Sequence, residues 1–304
     1  MPEIFQFDFM VRALIGGSMV AILAPAFGLF IVLRRLSLIA DTLSHVALMG
    51  VAIGFVTSIF PPLVALVATT SSAAGIEQLR SRGRLPGDAA LAVFLYASLA
   101  IAVVVISKSS GFNADLFGYL FGTVLSVNDR DLWLIGTLLV VVIAFVVMFY
   151  AELTQSAFDP DLAHVSGVRV NATNLALAIL TGATVTASMR VVGVLMVGAL
   201  IVIPVLAALR LARGFRTALM LAIGFGLLSV WIGLIIAFYA DLAAGGAIVL
   251  TTVGMLVLAE ITGSALDYLS ARRGFAAIAA ANVPADFPDA ERRNVEKEQG
   301  EHPN

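Results

Sequence analysis

The chain has no cysteine. That excludes disulfides, thiolate metal sites and cysteine nucleophiles, and leaves the compartment open. Charge is scarce: Asp, Glu, Lys and Arg make up 12% of the 304 residues, about half the share in an average protein. Lysine occurs only at Lys108 and Lys297, and no G-x-x-x-x-G-K-[ST] stretch is present, so no P-loop binds nucleotide here. No H-E-x-x-H helix occurs either, which argues against a zinc protease within a membrane. Histidine is limited to His45, His164 and His302. Ser44 and His45 are neighbours, so their side chains leave a helix in different directions and cannot pair for nucleophilic chemistry.

What remains is apolar, with 60% hydrophobic residues and a mean hydropathy of +1.02. Successive runs of spanning length make this an all-α, polytopic transmembrane helical bundle of eight or nine spans. The runs cover about 10–33, 37–59, 62–79, 89–107, 131–151, 172–189, 191–209, 217–239 and onward to 265. Pro25 is a candidate kink in the first. The segment LFGYLFGTVLSV (116–127) is apolar and aromatic but too short to span, which suits a re-entrant or interfacial helix. Residues 1–275 read as one transmembrane domain. The Pro-, charge- and Asn-rich stretch 276–304 reads as a disordered tail. The start, MPEIFQFDFMVR, has Glu3 and Asp8 where a signal peptide would be basic, and is read as retained.

The basic residues orient the chain. Arg34, Arg35, Arg80, Arg82, Arg84, Arg169, Arg210, Arg213, Arg216, Arg272 and Arg273 fall on one side; Arg12, Lys108, Arg130 and Arg190 fall on the other. The positive-inside rule puts the first set, and the C-terminus, in the cytoplasm, and the N-terminus outside. Asp115, Asp129, Asp131 and Asp241 lie on the outer side, either drawing cations to an entrance or forming an ordinary solvated rim.

Two polar residues stand out in the second run. Asp41 and His45 are four apart, hence on one helix face one turn from each other. At ~1.5 Å per residue, His45 lies about 15 Å beyond Arg35, near mid-depth of a ~30 Å core, and Asp41 about 9 Å beyond it. Ionisable groups at such depth usually face a cavity, a partner or an ion path. Carboxylate oxygen with imidazole nitrogen suits Zn2+, Mn2+ or Fe2+. Two plainer readings are an N-terminal cap at Asp41 and mutual neutralisation of the pair.

The polar stretch FDPDLAHVSGVRVN (158–171) contains a short helix entered at Asp159-Pro160-Asp161, with Leu162, Ala163 and Val165 as its apolar face and Gly167 as its stop. Such a helix either docks into a partner's groove or lies on its own bundle as a connector. His164 reads as a surface histidine.

Four stretches in order, LRRLSLIADTLSHVALMGVAIG, LFGYLFGTVLSV, FDPDLAHVSGV and VVGVLMVGALIVIPVLAALRLA, resemble the metal-ion ABC permeases, the membrane subunits of zinc, manganese and iron uptake systems. The resemblance covers about 10–265. It implies a homodimeric permease in the bacterial inner membrane, served by two cytoplasmic ATP-binding subunits and an extracytoplasmic metal-binding protein. Metal coordination would fall to Asp41 and His45, and ATPase coupling to Asp159, Pro160, Asp161, Leu162, Val165 and Gly167. ATP hydrolysis would occur in the partner chain. The divalent ion would be cargo and not a resident cofactor, and no nucleic acid is involved. The family often has Pro or Leu where this chain has Met49, which places a thioether beside the pair.

Two alternatives are a proton-coupled secondary transporter using Asp41 and His45 as a relay, and an intramembrane enzyme. The first predicts inverted repeats with paired broken helices, which the sequence does not display. The second lacks a nucleophile. One chain offers two good intramembrane ligands, so a two-fold dimer would bring up to four together, unless water or backbone carbonyls complete each site. Gly193 and Gly198, among small neighbours, would permit the close helix packing this needs.

Overall fold

A computed structural model describes residues 6–81, 83, 87–108, 118–122 and 127–281. Every apolar run is a helix. In order they are α1 (Asp8–Leu33), α2 (Leu38–Val56), α3 (Pro61–Ser81), α4 (Gly87–Ser107), α5 (Asp129–Met148), α6 (Tyr150–Phe158), α7 (Pro160–Val165), α8 (Val170–Ser188), α9 (Val194–Leu211), α10 (Phe215–Ala240) and α11 (Ala244–Ala281). No strand occurs among the described residues. Pro25 sits inside α1, which continues unbroken to Leu33.

Seven of these helices are long and apolar enough to cross a membrane, against the eight or nine expected. Helix α3 has the length but carries Thr69, Thr70, Ser71, Ser72 and Glu77, and α9 is an apolar helix of 18 residues, at the lower end of spanning length. The run expected over 131–151 ends earlier, because Phe149 leaves helical geometry (φ −104°, ψ 22°) and a separate helix, α6, begins at Tyr150. Most of the 116–127 segment lies outside the described residues; within it, residues 118–121 form a helical turn. The boundary expected at 275/276 falls inside α11, and residues 282–304 lie outside the described part. By contacts the chain divides into two compact units, Met1–Val257 and Leu258–Asn304. The packing below is that of the first unit.

Helix α2 is its axis, packed against α3, α4, α8 and α9. The α2–α3 contact depends on Gly50 and Gly54, one turn apart. A Cβ on Gly50 would lie 2.5 Å from the Ala65 Cα, and one on Gly54 would lie 2.6 Å from the Pro61 Cα. Small residues at this spacing let two backbones touch, the form of packing that operates where water supplies no hydrophobic drive. Helix α3 is pinned in turn to α8 by a buried Thr69–Thr186 hydroxyl contact of 2.8 Å. Helix α1 packs on α5, α9 and α10 around Phe27 and Phe30, both fully buried.

A second close crossing lies where α9 begins. Gly193 has φ +93°, and a Cβ there would stand 2.5 Å from the Phe121 carbonyl carbon and 2.6 Å from the Gly122 nitrogen. Gly193→Ala therefore meets backbone on a left-handed φ. Its expected cost is about 1–3 kcal/mol for the conformation alone, with overpacking added. Thermal unfolding in detergent should show a clear fall in midpoint; an unchanged midpoint would contradict the crossing.

Candidate ion site and docking helix

Helix α2 starts after Ser37, whose side chain makes no capping hydrogen bond. Asp41 follows in the first turn, where a carboxylate is favoured by the free N–H groups of the helix start. It is not the cap, so that reading is set aside. His45 lies one turn on, its Nε2 4.0 Å from Asp41 Oδ1. That is too long for a hydrogen bond, so the pair is adjacent without being locked together. The His45 side chain is 19% exposed and that of Asp41 50%, so the imidazole is largely enclosed while the carboxylate stays open on one side. His45 Nδ1 is buried and makes no hydrogen bond.

The neighbours fix this face. Gly198 of α9 backs onto Asp41: a Cβ there would approach the Asp41 nitrogen to 3.4 Å and its Cα to 3.5 Å. The small residue singled out for close packing thus serves a contact within the chain. On other sides of the helix, Thr42 Oγ1 donates to the Leu91 carbonyl of α4 at 3.5 Å, and Ser44 Oγ to the Ala40 carbonyl at 2.9 Å. Met49, half-buried, continues the Asp41/His45 line by one more turn. Among the described residues no group of three or more His, Asp or Glu gathers to hold a metal. Asp41 and His45 therefore present one oxygen and one nitrogen donor, a partial set for a divalent cation.

At the other end of α2 lies a polar cluster that the sequence reading did not assemble. Arg190, beyond α8, donates to both Asp131 oxygens from Nη1 at 2.8 and 2.9 Å and to the Tyr119 hydroxyl from Nη2 at 3.3 Å. Burial opposes the Arg190 charge, but the hydrogen bonds to Tyr119 and Asp131 outweigh it and raise the guanidinium above its ordinary value. The Tyr119 ring meets Phe55 of α2 edge-on at 5.8 Å. Asp131 also closes a capping box with Asn128, and Asp129 pairs with Arg12 at 3.2 Å. Asp131 is thus enclosed against a cation of the same chain, whereas Asp129 stays exposed beside Arg12. Asp241 ends α10 in a left-handed conformation, and Asp115 lies outside the described residues. The isolated Arg190, placed just after an apolar run, was the one available sign of this cluster.

The short helix forms where expected. Asp159 caps α7, its Oδ1 accepting the Leu162 N–H at 2.9 Å, with Pro160 at the first helical position. Gly167 stops it at φ +85°, and the Val168 N–H closes back on the Ala163 carbonyl at 3.0 Å. Its apolar residues do not share one environment. Ala163 is buried (1%) and anchors the helix, whereas Leu162 (63%) and Val165 (85%) stand exposed. Asp161 and His164 are exposed as well.

All-helical among the described residues, with several helices of membrane length, the chain is by class a multi-pass membrane protein. Its sequence matches the ABC 3 transport family over residues 6–263, and the chain belongs to that family. It is 32% identical over 253 residues to the high-affinity zinc uptake system membrane protein ZnuB of Haemophilus influenzae, covering 83% of this chain and 97% of that one. It is 32% identical over 247 residues to the manganese transport system membrane protein MntC of Listeria monocytogenes, covering 81% and 88%. Among solved structures, PsaBC from Streptococcus pneumoniae in complex with Fab superposes with a TM-score of 0.75 at 29% identity, over 84% of this chain and 92% of that one.

Proposed function

We propose that this chain is the membrane permease of an ATP-driven importer of divalent transition-metal ions, and that Asp41 and His45 hold the ion in transit. The observation that carries the reading is the enclosed imidazole one turn from a half-exposed carboxylate on a helix packed against four others. The names of the relatives, a zinc and a manganese system, supply the cargo class. One oxygen and one nitrogen donor suit either ion. A second copy of the chain would double the donors to four.

Hydrolysis of ATP belongs to separate cytoplasmic ATP-binding subunits, which this chain engages through α7. Leu162 and Val165 supply the exposed apolar contact, Asp159, Pro160 and Asp161 build the helix that presents them, and Gly167 ends it. The Arg34 side is then cytoplasmic, with the C-terminus, and the Arg190 side receives an extracytoplasmic metal-binding protein.

Asp41→Asn tests the ion site with little change of shape. Losing one charged ligand contact is worth about 1.5–3 kcal/mol, so uptake at limiting metal should fall about tenfold or more. Wild-type rate and apparent affinity would remove Asp41 from the site.

A further inference from the structure

A half-buried guanidinium connects the segment that leads into the Asp41/His45 helix with the segment that leads into α7. Arg34 closes α1, its backbone N–H donating to the Phe30 carbonyl at 3.2 Å. The chain then reverses through Arg35, at φ +58°, and enters α2. From this corner Arg34 Nη2 donates to Ser156 Oγ. Ser156 is buried on α6, and α6 ends at Asp159, the cap of α7. One hydrogen bond thus spans from the entry of the cargo helix to the entry of the docking helix.

The surroundings offer that guanidinium another place. Glu77 of α3 is buried and held by Arg80, Nε and Nη2 each donating at 3.1 Å. Arg34 lies beside this pair without joining it. Burial first, then the Arg80 charge, bring its pKa down to about 10, with Glu77 partly offsetting, so it stays charged at neutral pH. Arg34 Nε and Asn174 Oδ1 are both buried and without hydrogen-bond partners. Both residues line one narrow cleft, together with Glu77, Arg80 and Thr181. A donor with one arm engaged and one idle therefore stands beside an idle acceptor and an acid.

We propose that Arg34 is the positioning residue that transmits movement of α7 to α2, by exchanging Ser156 for Asn174 and Glu77 as the docked subunits pull α6 and α7 away from the α1–α2 corner. Held on Ser156, it fixes the start of α2 to the docking side. Released into the cleft, it ties that corner to α3 and α8 instead, and the Asp41/His45 face is free to turn with it. The inference rests on α7 being the docking helix.

The test uses the full complex with its ATP-binding subunits in proteoliposomes, and reads co-purification, ATP hydrolysis and metal ions moved per ATP. Ser156→Ala removes one hydroxyl from a small buried residue and should leave assembly and hydrolysis in place while ions per ATP fall about fivefold or more, the scale of a coupling interaction. Arg34→Gln should do the same, and Arg34→Lys should recover part of the ratio. A wild-type ratio in Ser156→Ala, with hydrolysis intact, overturns the proposal whatever Arg34→Gln does to folding. Leu162→Asp separates the two ideas. Normal assembly of that variant and of Val165→Asp would overturn the docking reading, whereas lost assembly beside an unchanged Ser156→Ala ratio would overturn the Arg34 exchange alone.

Discussion

His45→Ala abolishes metal uptake while the protein stays in the membrane at its normal level. The imidazole is enclosed on the axis helix, with its Nδ1 buried and unbonded and its Nε2 4.0 Å from Asp41. It holds no structural hydrogen bond that alanine would break, so the fold loses only packing, about 1–2 kcal/mol or less. The ion loses its nitrogen donor, and a lone carboxylate at the edge of a hydrocarbon core does not replace the hydration shell of a divalent cation. Uptake should fall at least about a hundredfold at limiting metal, the scale of losing one strong ligand contact. Cell-associated zinc and manganese, measured beside the membrane level of the protein, check this. Uptake at the wild-type rate would make His45 structural.

Leu162→Asp and Val165→Asp should each release the ATP-binding subunits. Both side chains project from α7 while Ala163, between them, is buried and holds the helix to the bundle. Neither substitution touches the Asp159 cap or the Gly167 stop, so α7 itself persists. A carboxylate forced into an apolar groove costs about 2 kcal/mol or more unless it finds a partner, and central contacts of an interface carry costs of this size. Co-purification should fall by more than about tenfold and transport with it. Normal assembly and transport in both variants would move the docking surface elsewhere.

Much of this arrangement is legible in the sequence, because the bilayer imposes long apolar runs and makes any charge within them conspicuous. Asp41 and His45 stand out for that reason, and Asp159, Pro160 and Gly167 announce α7 by cap and stop chemistry that is local. The misses are non-local or marginal. Phe149 is as apolar as its neighbours, and nothing in its own chemistry marks the break between α5 and α6. The hydroxyl residues of α3 bring it below the apolarity of a free-standing span; Thr69 pairs with Thr186 in the interior, while Thr70 and Ser71 bond carbonyls of their own helix. Arg34 reads as one more basic residue at a helix end; only the fold turns it inward onto Ser156. Arg190, Asp131 and Tyr119 come from three separate segments, and no spacing rule joins them. Gly50 and Gly54 did carry a signal, small residues one turn apart, that points to the α2–α3 contact.

The most direct measurement is radiolabelled zinc or manganese uptake into proteoliposomes that hold this chain with its ATP-binding subunits, under ATP alone, under an imposed pH gradient alone, and with His45→Ala. The expected result is accumulation that requires ATP, ignores the pH gradient and disappears in the variant. Accumulation driven by the pH gradient without the ATP-binding subunits, or ATP-driven accumulation that survives His45→Ala, would contradict it.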